Sequence, residues 1–292
     1  MSTRLSGMRQ SLKRAGAASA RVLLKDHAVH RRVIGLCYHS IHPSSSFASA
    51  SPDVFERHLA WLAETCVVIP LRAMLAAAAD ADRDRPAVAI TFDDGYADNH
   101  EFAFPLLRKY GMPATIYVTA GLCDGDRAVR ERFQALRGVP ADEIHPLEWE
   151  QAREMRAEGL EFGSHTYSHP NLIRLPRDEV ARELRVSKEI LEDRLGATVD
   201  LLAYPFGKPG RHFDETTVAV VRETGYSHAA AILSRSVRPG DSSCALPRFF
   251  ATRNSVQDLA EKVRGDWDYL GVWQERAPRA LARLVSPQDF RF

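Results

Sequence analysis

Two neighbouring carboxylates, Asp93 and Asp94, follow an apolar run at residues 87–90 that predicts a buried β-strand. Side chains of neighbouring strand residues point to opposite faces. A pair at a strand end, followed by Gly95, can therefore direct one carboxylate to a metal and the other to a reacting water. The alternative is a tight turn, in which Asp accepts local backbone hydrogen bonds and glycine takes positive φ. The triplet alone does not decide between the two.

Two histidines four residues apart, His165 and His169, follow a second apolar run at residues 160–163. This spacing places both rings on one face of a helical turn, and neutral imidazole is a common zinc ligand. With Asp94 they would form three protein ligands and leave positions open for water and substrate, as catalytic metal sites require. A solvated turn is the alternative for the histidine pair alone, but both motifs follow predicted strands and so favour a metal site. A structural zinc site usually has four ligands, often cysteines, and fits this set less well.

Segments typical of strands and helices alternate along the chain, which predicts parallel strands that close into a barrel with helical crossovers. The predicted strands are residues 33–37, 67–70, 87–92, 114–118, 160–163, 201–204 and 227–232. The predicted helices are residues 52–64, 71–79, 100–110, 146–158, 177–195 and 215–223. The charged residues 124–145 interrupt this alternation and predict either an insertion over the barrel mouth or a solvated linker. Active sites of such barrels lie at the carboxyl ends of the strands, where the Asp and His motifs fall.

Three segments, TFDDGYADN, HTYSHPNL and YPFG, occur in this order and resemble the metal-binding and pocket motifs of the polysaccharide deacetylase family. This family is also called the NodB-homology family or carbohydrate esterase family 4. Two N-terminal segments, LCYHSI and SPDVFERHLAWL, are similar to the branch that acts on exopolysaccharides, and the similarity covers about residues 30 to 255. The resemblance implies an α/β fold, a distorted (β/α)7 TIM-like barrel. It also implies a metal-dependent hydrolase that removes N-acetyl groups from amino sugars of a polysaccharide or its lipid-linked precursor.

The resemblance assigns Asp94, His165 and His169 to a divalent metal and Asp93 to the general base. Zn²⁺ is favoured, and Co²⁺, Ni²⁺ or Fe²⁺ suit the same ligands. A metal lowers the pKa of its bound water from about 15.7 toward 7 and polarises the amide oxygen, while an uncoordinated carboxylate takes the proton of the water. The resemblance gives the proton of the leaving nitrogen to His39, and His228 is the weaker alternative.

Two departures from the family pattern lie in the later motifs. Ala203 stands where the family usually carries an arginine two residues before the proline of the third motif. We predict that Arg248 supplies that charge, since an adjacent cation keeps a carboxylate ionised. The family's later Asp and Trp motif is also absent after Tyr226, which predicts a different or weaker grip on the substrate.

Three aromatic residues near the motifs, Tyr96, Tyr204 and Phe206, are predicted to line the substrate site, because the C–H face of a sugar ring packs on π-systems. Core packing is the alternative, and for Phe206 the two are weighed equally. The backbone N–H of Tyr204 is a further candidate, for stabilising the tetrahedral oxyanion together with the metal.

Two other classes of function stay open at the level of sequence. A deformylase or a cyclic-amide hydrolase could use the same fold and the same residues. A glycan-binding pseudoenzyme is suggested by the missing arginine, but such a module has no need of both metal ligands and a free base. The identity of the glycan, the acyl group and the oligomeric state are not predicted.

Composition restricts the partners and the compartment. Thirty-nine Lys and Arg against 38 Asp and Glu leave a net charge of +1 over 292 residues, so nucleic acid is not a predicted partner. The four cysteines form no CxxC pair, which argues against a zinc-cysteine site and leaves a disulfide between Cys123 and Cys244 open. No apolar run approaches the length of about 20 residues that a transmembrane helix needs.

Three regions are predicted: a basic tail at residues 1–30, the barrel at 31–265, and a segment at 266–292 whose aromatic residues pack on the barrel. The tail carries six Lys and Arg residues but lacks the apolar core of about 7 to 15 residues that a secretory signal needs. We therefore expect a cytoplasmic enzyme. Its tail either has no fixed structure or makes a peripheral contact with the inner face of the membrane.

Overall fold

The computed structural model describes residues 29–44, 49–138, 144–251 and 255–276, in which strands and helices alternate. The strands are β1 (Val33–Tyr38), β2 (Val67–Val68), β3 (Ala87–Phe92), β4 (Thr115–Val118), β5 (Glu161–Ser164), β6 (Leu201–Ala203), β7 (His228–Ala230) and β8 (Arg248–Phe250). The α-helices are α1 (Pro52–Thr65), α2 (Met74–Ala79), α3 (Phe104–Tyr110), α4 (Ala120–Cys123), α5 (Arg127–Arg137), α6 (Trp149–Ala157), α7 (Arg177–Leu195), α8 (Glu215–Glu223), α9 (Val256–Arg264) and α10 (Asp268–Arg276). Short 3₁₀ turns cover Val29–Arg31, Leu71–Ala73, Leu172–Arg174 and Ser243–Ala245, and one π-helical turn covers Asn99–Ala103.

The strands form one parallel sheet in the order β7-β6-β5-β4-β3-β1-β8, and β2 pairs with the first residues of β3. The two ends of this sheet meet, because Ala230 and Leu246 form a parallel bridge and the Ala231 N–H donates to the Leu246 carbonyl at 2.8 Å. Seven strands thus form a nearly closed barrel. The predicted distorted (β/α)7 barrel is confirmed.

Alternation of side chains along the strands separates the barrel interior from the layer beneath the helices. In β3, Val88 and Ile90 belong to the large core cluster, whereas Ala87 and Ala89 belong to a second cluster that also contains Ala203 and Ala230. Gly35 on β1 lies opposite Arg248 on β8, and a Cβ atom at Gly35 would lie 2.7 Å from Arg248 Cγ. Small residues on the inner face therefore leave room for a buried arginine.

The charged segment that interrupts the alternation contains a helix over Arg127–Arg137. Helix α5 begins after Asp126, whose carboxylate accepts hydrogen bonds from the first turn, and ends at Gly138 in the left-handed conformation. Its buried residues are Val129, Phe133 and Arg137, each four positions after the last. This spacing gives the helix one continuous face that turns away from solvent.

Several predictions fall outside the described residues. The described ranges do not include residues 1–28 and 277–292. The basic tail, its membrane contact, the cytoplasmic location and the three region boundaries therefore stay predictions. Asp268 of α10 does contact the barrel, since its carboxylate accepts a hydrogen bond from Ser236 Oγ at 2.7 Å and pairs with Arg32 at 2.6 Å. All four cysteines are free thiols. None of the helices in the described ranges combines the length and the apolar composition that a membrane span needs.

Candidate active site

Three predicted metal ligands, Asp94, His165 and His169, meet at the carboxyl ends of β3 and β5. All three are buried, and Asp94 Oδ1 lies 3.6 Å from Nε2 of each histidine. Asp94 comes two residues after β3, and His165 directly follows β5, so the parallel strands bring the motifs to the same edge of the barrel. We refer to these residues as the triad.

The triad fits a divalent metal on the chemistry of its donors. Asp94 Oδ1 is buried and has no hydrogen-bond partner among the described residues, although a buried carboxylate oxygen requires one. His165 Nδ1 lies 2.8 Å from the Ala203 carbonyl, which fixes the ring so that Nε2 faces Asp94. Burial, followed by the charge of His165, lowers the pKa of His169 to about 3, so the imidazole is neutral at neutral pH, as coordination requires.

The backbone around the triad is strained. Among the described residues, four that are not glycine have positive φ: Asp94 (78°), Thr166 (68°), His169 (55°) and Phe206 (61°). Each such conformation costs on the order of 1–3 kcal/mol and persists only where the surrounding structure imposes it. The turn at Thr166 is held by local bonds, because its N–H donates to Ser164 Oγ and its hydroxyl accepts from the His169 N–H, both at 3.0 Å. The site thus sets the direction of its ligands through the backbone.

Asp93 continues the inward-facing positions of β3 and forms a buried ion pair with Arg248. The guanidinium donates to both carboxylate oxygens, at 2.7 and 2.9 Å, and one of its nitrogens also donates to Thr91 Oγ1 at 2.8 Å. Burial alone would raise the pKa of Asp93, but the charge and hydrogen bonds of Arg248 outweigh it and hold the pKa at about 2. Asp93 is therefore an anion at every pH at which the protein is expected to work.

A thiol also faces Asp93. Cys37 Sγ lies 3.3 Å from Asp93 Oδ2, and burial raises the pKa of this thiol well above its usual value. The thiol is therefore a neutral hydrogen-bond donor to the carboxylate.

His39 follows β1 and lies near Asp93. One ring nitrogen of His39, Cys37 Sγ and one oxygen of Asp93 lie within 4.8 Å of one another. Burial lowers the pKa of His39 to about 4, although the charge of Asp94 opposes this effect. The ring stacks on Phe250 with 5.8 Å between centroids. His39 is therefore a neutral imidazole beside the carboxylate that we predict to be the base.

The last residues of the TFDDGYADN motif hold the loop that carries His39. Asn99 Nδ2 donates to the His39 carbonyl at 2.8 Å, and Asp98 accepts hydrogen bonds from the Ser40 hydroxyl and, at 3.1 Å, from the Ile41 N–H. Burial raises the pKa of Asp98 to about 6 despite these donors. The sequence motif therefore links the β1 loop to the β3 loop, a role that sequence reasoning missed.

The structure contradicts two of the three predicted substrate-lining aromatics. Tyr96 and Tyr204 are buried, at 1% and 0% exposure, so neither offers a ring face to a sugar. The Tyr204 ring instead stacks on Phe213 at 3.7 Å, and its hydroxyl donates to the Cys244 carbonyl. The Tyr204 N–H donates to the Ala230 carbonyl at 3.1 Å, so it is not available to an oxyanion.

Phe206 is placed differently. It is partly exposed, and its ring lies 4.7 Å from the ring of His169 and 5.1 Å from that of His212. This position beside the triad agrees with a substrate-lining role, which stays a prediction.

His228, the alternative proton donor, lies away from the triad. It is the first residue of β7 and pairs in register with Leu201, the first residue of β6. Its neighbours include Ser227, 2.8 Å away, and the charge of Arg72 also acts on it. This is the amino end of the barrel, whereas the triad and His39 lie at the carboxyl end.

Helix α5 supplies site contacts that sequence reasoning missed. Arg137 pairs with Asp94 Oδ2 and donates to the Tyr96 hydroxyl at 2.9 Å. Phe133 packs its ring against His169 with 5.2 Å between centroids. The only signal was the four-residue spacing of the buried residues between Asp126 and Gly138, inside a segment otherwise rich in charge.

Comparison with known proteins gives one family. Residues 80–229 match the family model for polysaccharide deacetylase. YxkH of Bacillus subtilis (strain 168) is 31% identical over 193 residues, which cover 65% of this chain and 61% of YxkH. The poly-β-1,6-N-acetyl-D-glucosamine N-deacetylase of Staphylococcus aureus (strain MRSA252) is 23% identical over 230 residues, covering 75% of this chain and 72% of that enzyme.

Among solved structures, IcaB from Ammonifex degensii is similar with a TM-score of 0.65 and 26% identity, covering 80% of this chain and 97% of that one. This chain thus spans less than two thirds of YxkH but nearly the whole of the solved IcaB chain. The family model covers just over half of the chain and includes the whole triad. This chain therefore belongs to the polysaccharide deacetylase family.

Proposed function

We propose that this protein is a metal-dependent hydrolase that removes N-acetyl groups from amino sugars of a polysaccharide or its lipid-linked precursor. One observation carries the proposal: two adjacent buried carboxylates have different partners. Asp94 presents an unpaired oxygen 3.6 Å from two imidazole nitrogens, whereas Asp93 is bound on both oxygens by Arg248. A metal ligand beside a separate ionised base is the arrangement that amide hydrolysis needs.

Asp94, His165 and His169 would hold the metal. A divalent cation bound there supplies electrophilic polarisation of the amide and lowers the pKa of water. Its identity is open, with Zn²⁺ favoured by the donor set and Co²⁺, Ni²⁺ or Fe²⁺ compatible with it. The neutral imidazole of His169 suits coordination, and the buried setting strengthens electrostatic interaction with the substrate carbonyl.

Asp93 acts as the general base and accepts the proton of the attacking water. Arg248 keeps this carboxylate ionised and orients it, because two parallel hydrogen bonds add geometric specificity to the ion pair. Cys37 supports the same carboxylate with a third contact, at 3.3 Å.

His39 returns the proton to the leaving nitrogen. Its pKa of about 4 means that the imidazole is neutral before the reaction and must first receive a proton. Asp93 is the source, since it gains a proton from water and lies within 4.8 Å of a His39 nitrogen, a gap that one water molecule can bridge. The amine then leaves as a neutral group, and both residues return to their starting states.

The substrate class is supported by the relative from Staphylococcus aureus, whose name specifies poly-β-1,6-N-acetyl-D-glucosamine. Phe206, partly exposed beside His169, is an aromatic surface that could pack on a sugar ring. N-acetylated glycan is therefore the partner that we propose.

The test uses oligomers of β-1,6-linked N-acetylglucosamine, with mass spectrometry of the products and metal analysis of the same protein preparation. Wild-type protein should release acetate. Asp93→Asn should lower the rate by roughly 10²–10⁴-fold with unchanged metal content, since that is the usual contribution of a general base. Asp94→Asn should lose metal and activity together.

Each other result points to a defined alternative. Acetate release by Asp93→Asn at the wild-type rate would refute the base assignment. Release of formate from formylated sugars but no acetate from acetylated ones would indicate a deformylase. Glycan binding without any product, with metal bound, would indicate a pseudoenzyme.

A further inference from the structure

Helix α5 contacts the triad and the loop that carries His169. Phe133 packs on the His169 ring, and Arg132 donates to the Ser168 carbonyl and hydroxyl at 3.1 and 2.9 Å. The start of the helix is tied to the same loop, because Asp126 accepts a hydrogen bond from the Tyr167 hydroxyl at 2.6 Å. These contacts fix the helix along its length. Arg137, its last residue, is therefore held beside the triad.

Arg137 divides the two oxygens of Asp94 between two partners. Its guanidinium binds Oδ2, while Oδ1 faces Nε2 of His165 and His169 at 3.6 Å. A second guanidinium nitrogen donates to the Tyr96 hydroxyl at 2.9 Å, and the guanidinium also lies 5.9 Å from the centre of the Tyr96 ring. Because Tyr96 and Asp94 hold the same planar group, rotation of the Asp94 carboxylate would break a geometry fixed at two points.

The ion pair between Arg137 and Asp94 is buried, so the loss of either partner should have a large effect. The side chains of Arg137 and Asp94 are 5% and 0% exposed. Loss of one partner from a buried pair leaves the other charge uncompensated, and residues that hold a metal ligand in place typically change metal affinity by about 10–100-fold when they are replaced. The positive charge of Arg137 also opposes a nearby cation, so orientation and repulsion act in opposite directions.

We infer that Arg137 is a positioning residue for the metal, which restricts Asp94 to coordination through Oδ1 alone. The orientation of Asp94 by Arg137 outweighs the repulsion between Arg137 and the cation, because Asp94 compensates the charge of Arg137 before the cation binds. This inference rests on the metal site proposed above. It adds that an arginine of the inserted helix sets both the affinity of the site and the number of carboxylate oxygens in it.

The experiment measures metal binding rather than turnover. The purified full chain is stripped of metal and titrated with Zn²⁺ against a chromogenic chelator, and then with Co²⁺ while the visible spectrum is recorded. Arg137→Met should weaken Zn²⁺ binding by about 10–100-fold. Its Co²⁺ absorption should become weaker than that of the wild type, because a released carboxylate that binds through both oxygens raises the coordination number. Arg137→Lys should restore part of the affinity, since an ammonium keeps the charge but not the fork.

Two further variants keep the test decisive. Tyr96→Phe removes the hydroxyl that orients Arg137 while the ion pair stays, so affinity should fall by a few-fold even if Arg137→Met does not fold. Arg130→Gln is the matched control: it removes the same charge from the same helix, but Arg130 makes no hydrogen bond or ion pair with the triad, and affinity should not change.

The outcomes separate this inference from the proposed function. Wild-type protein that binds neither Zn²⁺ nor Co²⁺ would overturn the metal site itself. Wild-type binding with equal affinity and an identical Co²⁺ spectrum in folded Arg137→Met would overturn only the role of Arg137. Tighter binding by Arg137→Met would overturn it too, and would show that the arginine acts as a competing cation.

Discussion

Replacement of Arg248 by methionine tests the link between a buried cation and the ionisation of the base. Methionine has a similar length but no charge, so Asp93 would lose both guanidinium hydrogen bonds, at 2.7 and 2.9 Å. The side chains are 0% and 4% exposed, so water cannot replace those bonds without a rearrangement of the barrel interior. The variant isolates what Arg248 does for Asp93.

The size of the effect follows from burial. Removal of one partner of a buried ion pair costs about 3–5 kcal/mol, which for a protein of this size corresponds to a fall in Tm of roughly 5–10 °C at neutral pH. The same energy expressed as a pKa shift of Asp93 is about 2–4 units, at about 1.4 kcal/mol per unit. The pKa, held at about 2 in the wild type, would then rise to roughly 4–6.

The sign of the pH dependence differs between the two proteins. In the wild type the lowered pKa of Asp93 stabilises the fold above its ordinary value near 3.8 and is lost only as the pH falls toward 2. In Arg248→Met the raised pKa favours the protonated carboxyl, so the stability deficit should shrink as the pH falls below 5. Activity should change in the opposite direction, since only the ionised carboxylate accepts a proton.

The assay is kcat/KM for acetate release from pH 4.5 to 8, taken as the ratio of wild type to variant so that loss of metal at low pH cancels. The ratio should be constant above pH 7 and then rise up to tenfold per pH unit below the new pKa. Arg235→Met is the matched control, because Arg235 is 5% exposed and pairs with Asp241 and Glu275 rather than with the site. This control should lower Tm, but its ratio of wild-type to variant kcat/KM should not change with pH. A flat ratio for Arg248→Met would refute the reasoning, since the arginine would then be structural only.

Three further predictions concern the metal, a second titration and the packing behind Arg248. Removal of metal with a chelator should abolish acetate release and lower Tm, and Zn²⁺ should restore both; an active metal-free protein would contradict the triad. His212 Nδ1 accepts a hydrogen bond from the Lys208 N–H at 3.1 Å, and burial, followed by neighbouring cations, lowers its pKa to about 4. His212 should therefore contribute up to about 3 kcal/mol to the decline in the free energy of unfolding of metal-free protein between pH 6.5 and 4, and His212→Asn should reduce the decline by that amount in urea titrations, while the part due to His39 and His169 stays. Gly35→Ala places a Cβ atom 2.7 Å from Arg248 Cγ and 2.9 Å from the Pro247 carbonyl. It should therefore lower both Tm and kcat. Wild-type values for both would show that the barrel interior can rearrange to accommodate the methyl group.

The strands and the meeting of Asp94 with the two histidines were predictable because their signals are local. An apolar run followed by Asp93 and Asp94, and a second run followed by His165 and His169, place polar groups at strand ends. Parallel strands then bring those ends to one edge of the sheet, whatever the exact register. The confirmed barrel follows from the same alternation.

Arg248 was predicted as the cation beside Asp93, but the contact of Arg137 with Asp94 was less accessible from sequence. Arg137 lies in a charged segment, where an amphipathic helix that faces a polar site has few apolar residues to reveal its period. The burial of Tyr96 and Tyr204 depends on which neighbours cover them, and no motif contains that information. The occupied N–H of Tyr204 likewise follows from the pairing of β6 with β7, which propensity does not specify.

In the proposed mechanism, the two neighbouring carboxylates each depend on an arginine. Adjacent buried anions repel each other, and such a pair ordinarily raises the pKa of one member until it is protonated. Here each anion has its own cation, Arg248 for Asp93 and Arg137 for Asp94, and the pKa of both carboxyls is lowered despite burial. The two cations come from different elements, Arg248 from strand β8 and Arg137 from helix α5. Two ionised groups a single residue apart can then do different work, because neither needs a shared proton to remain buried.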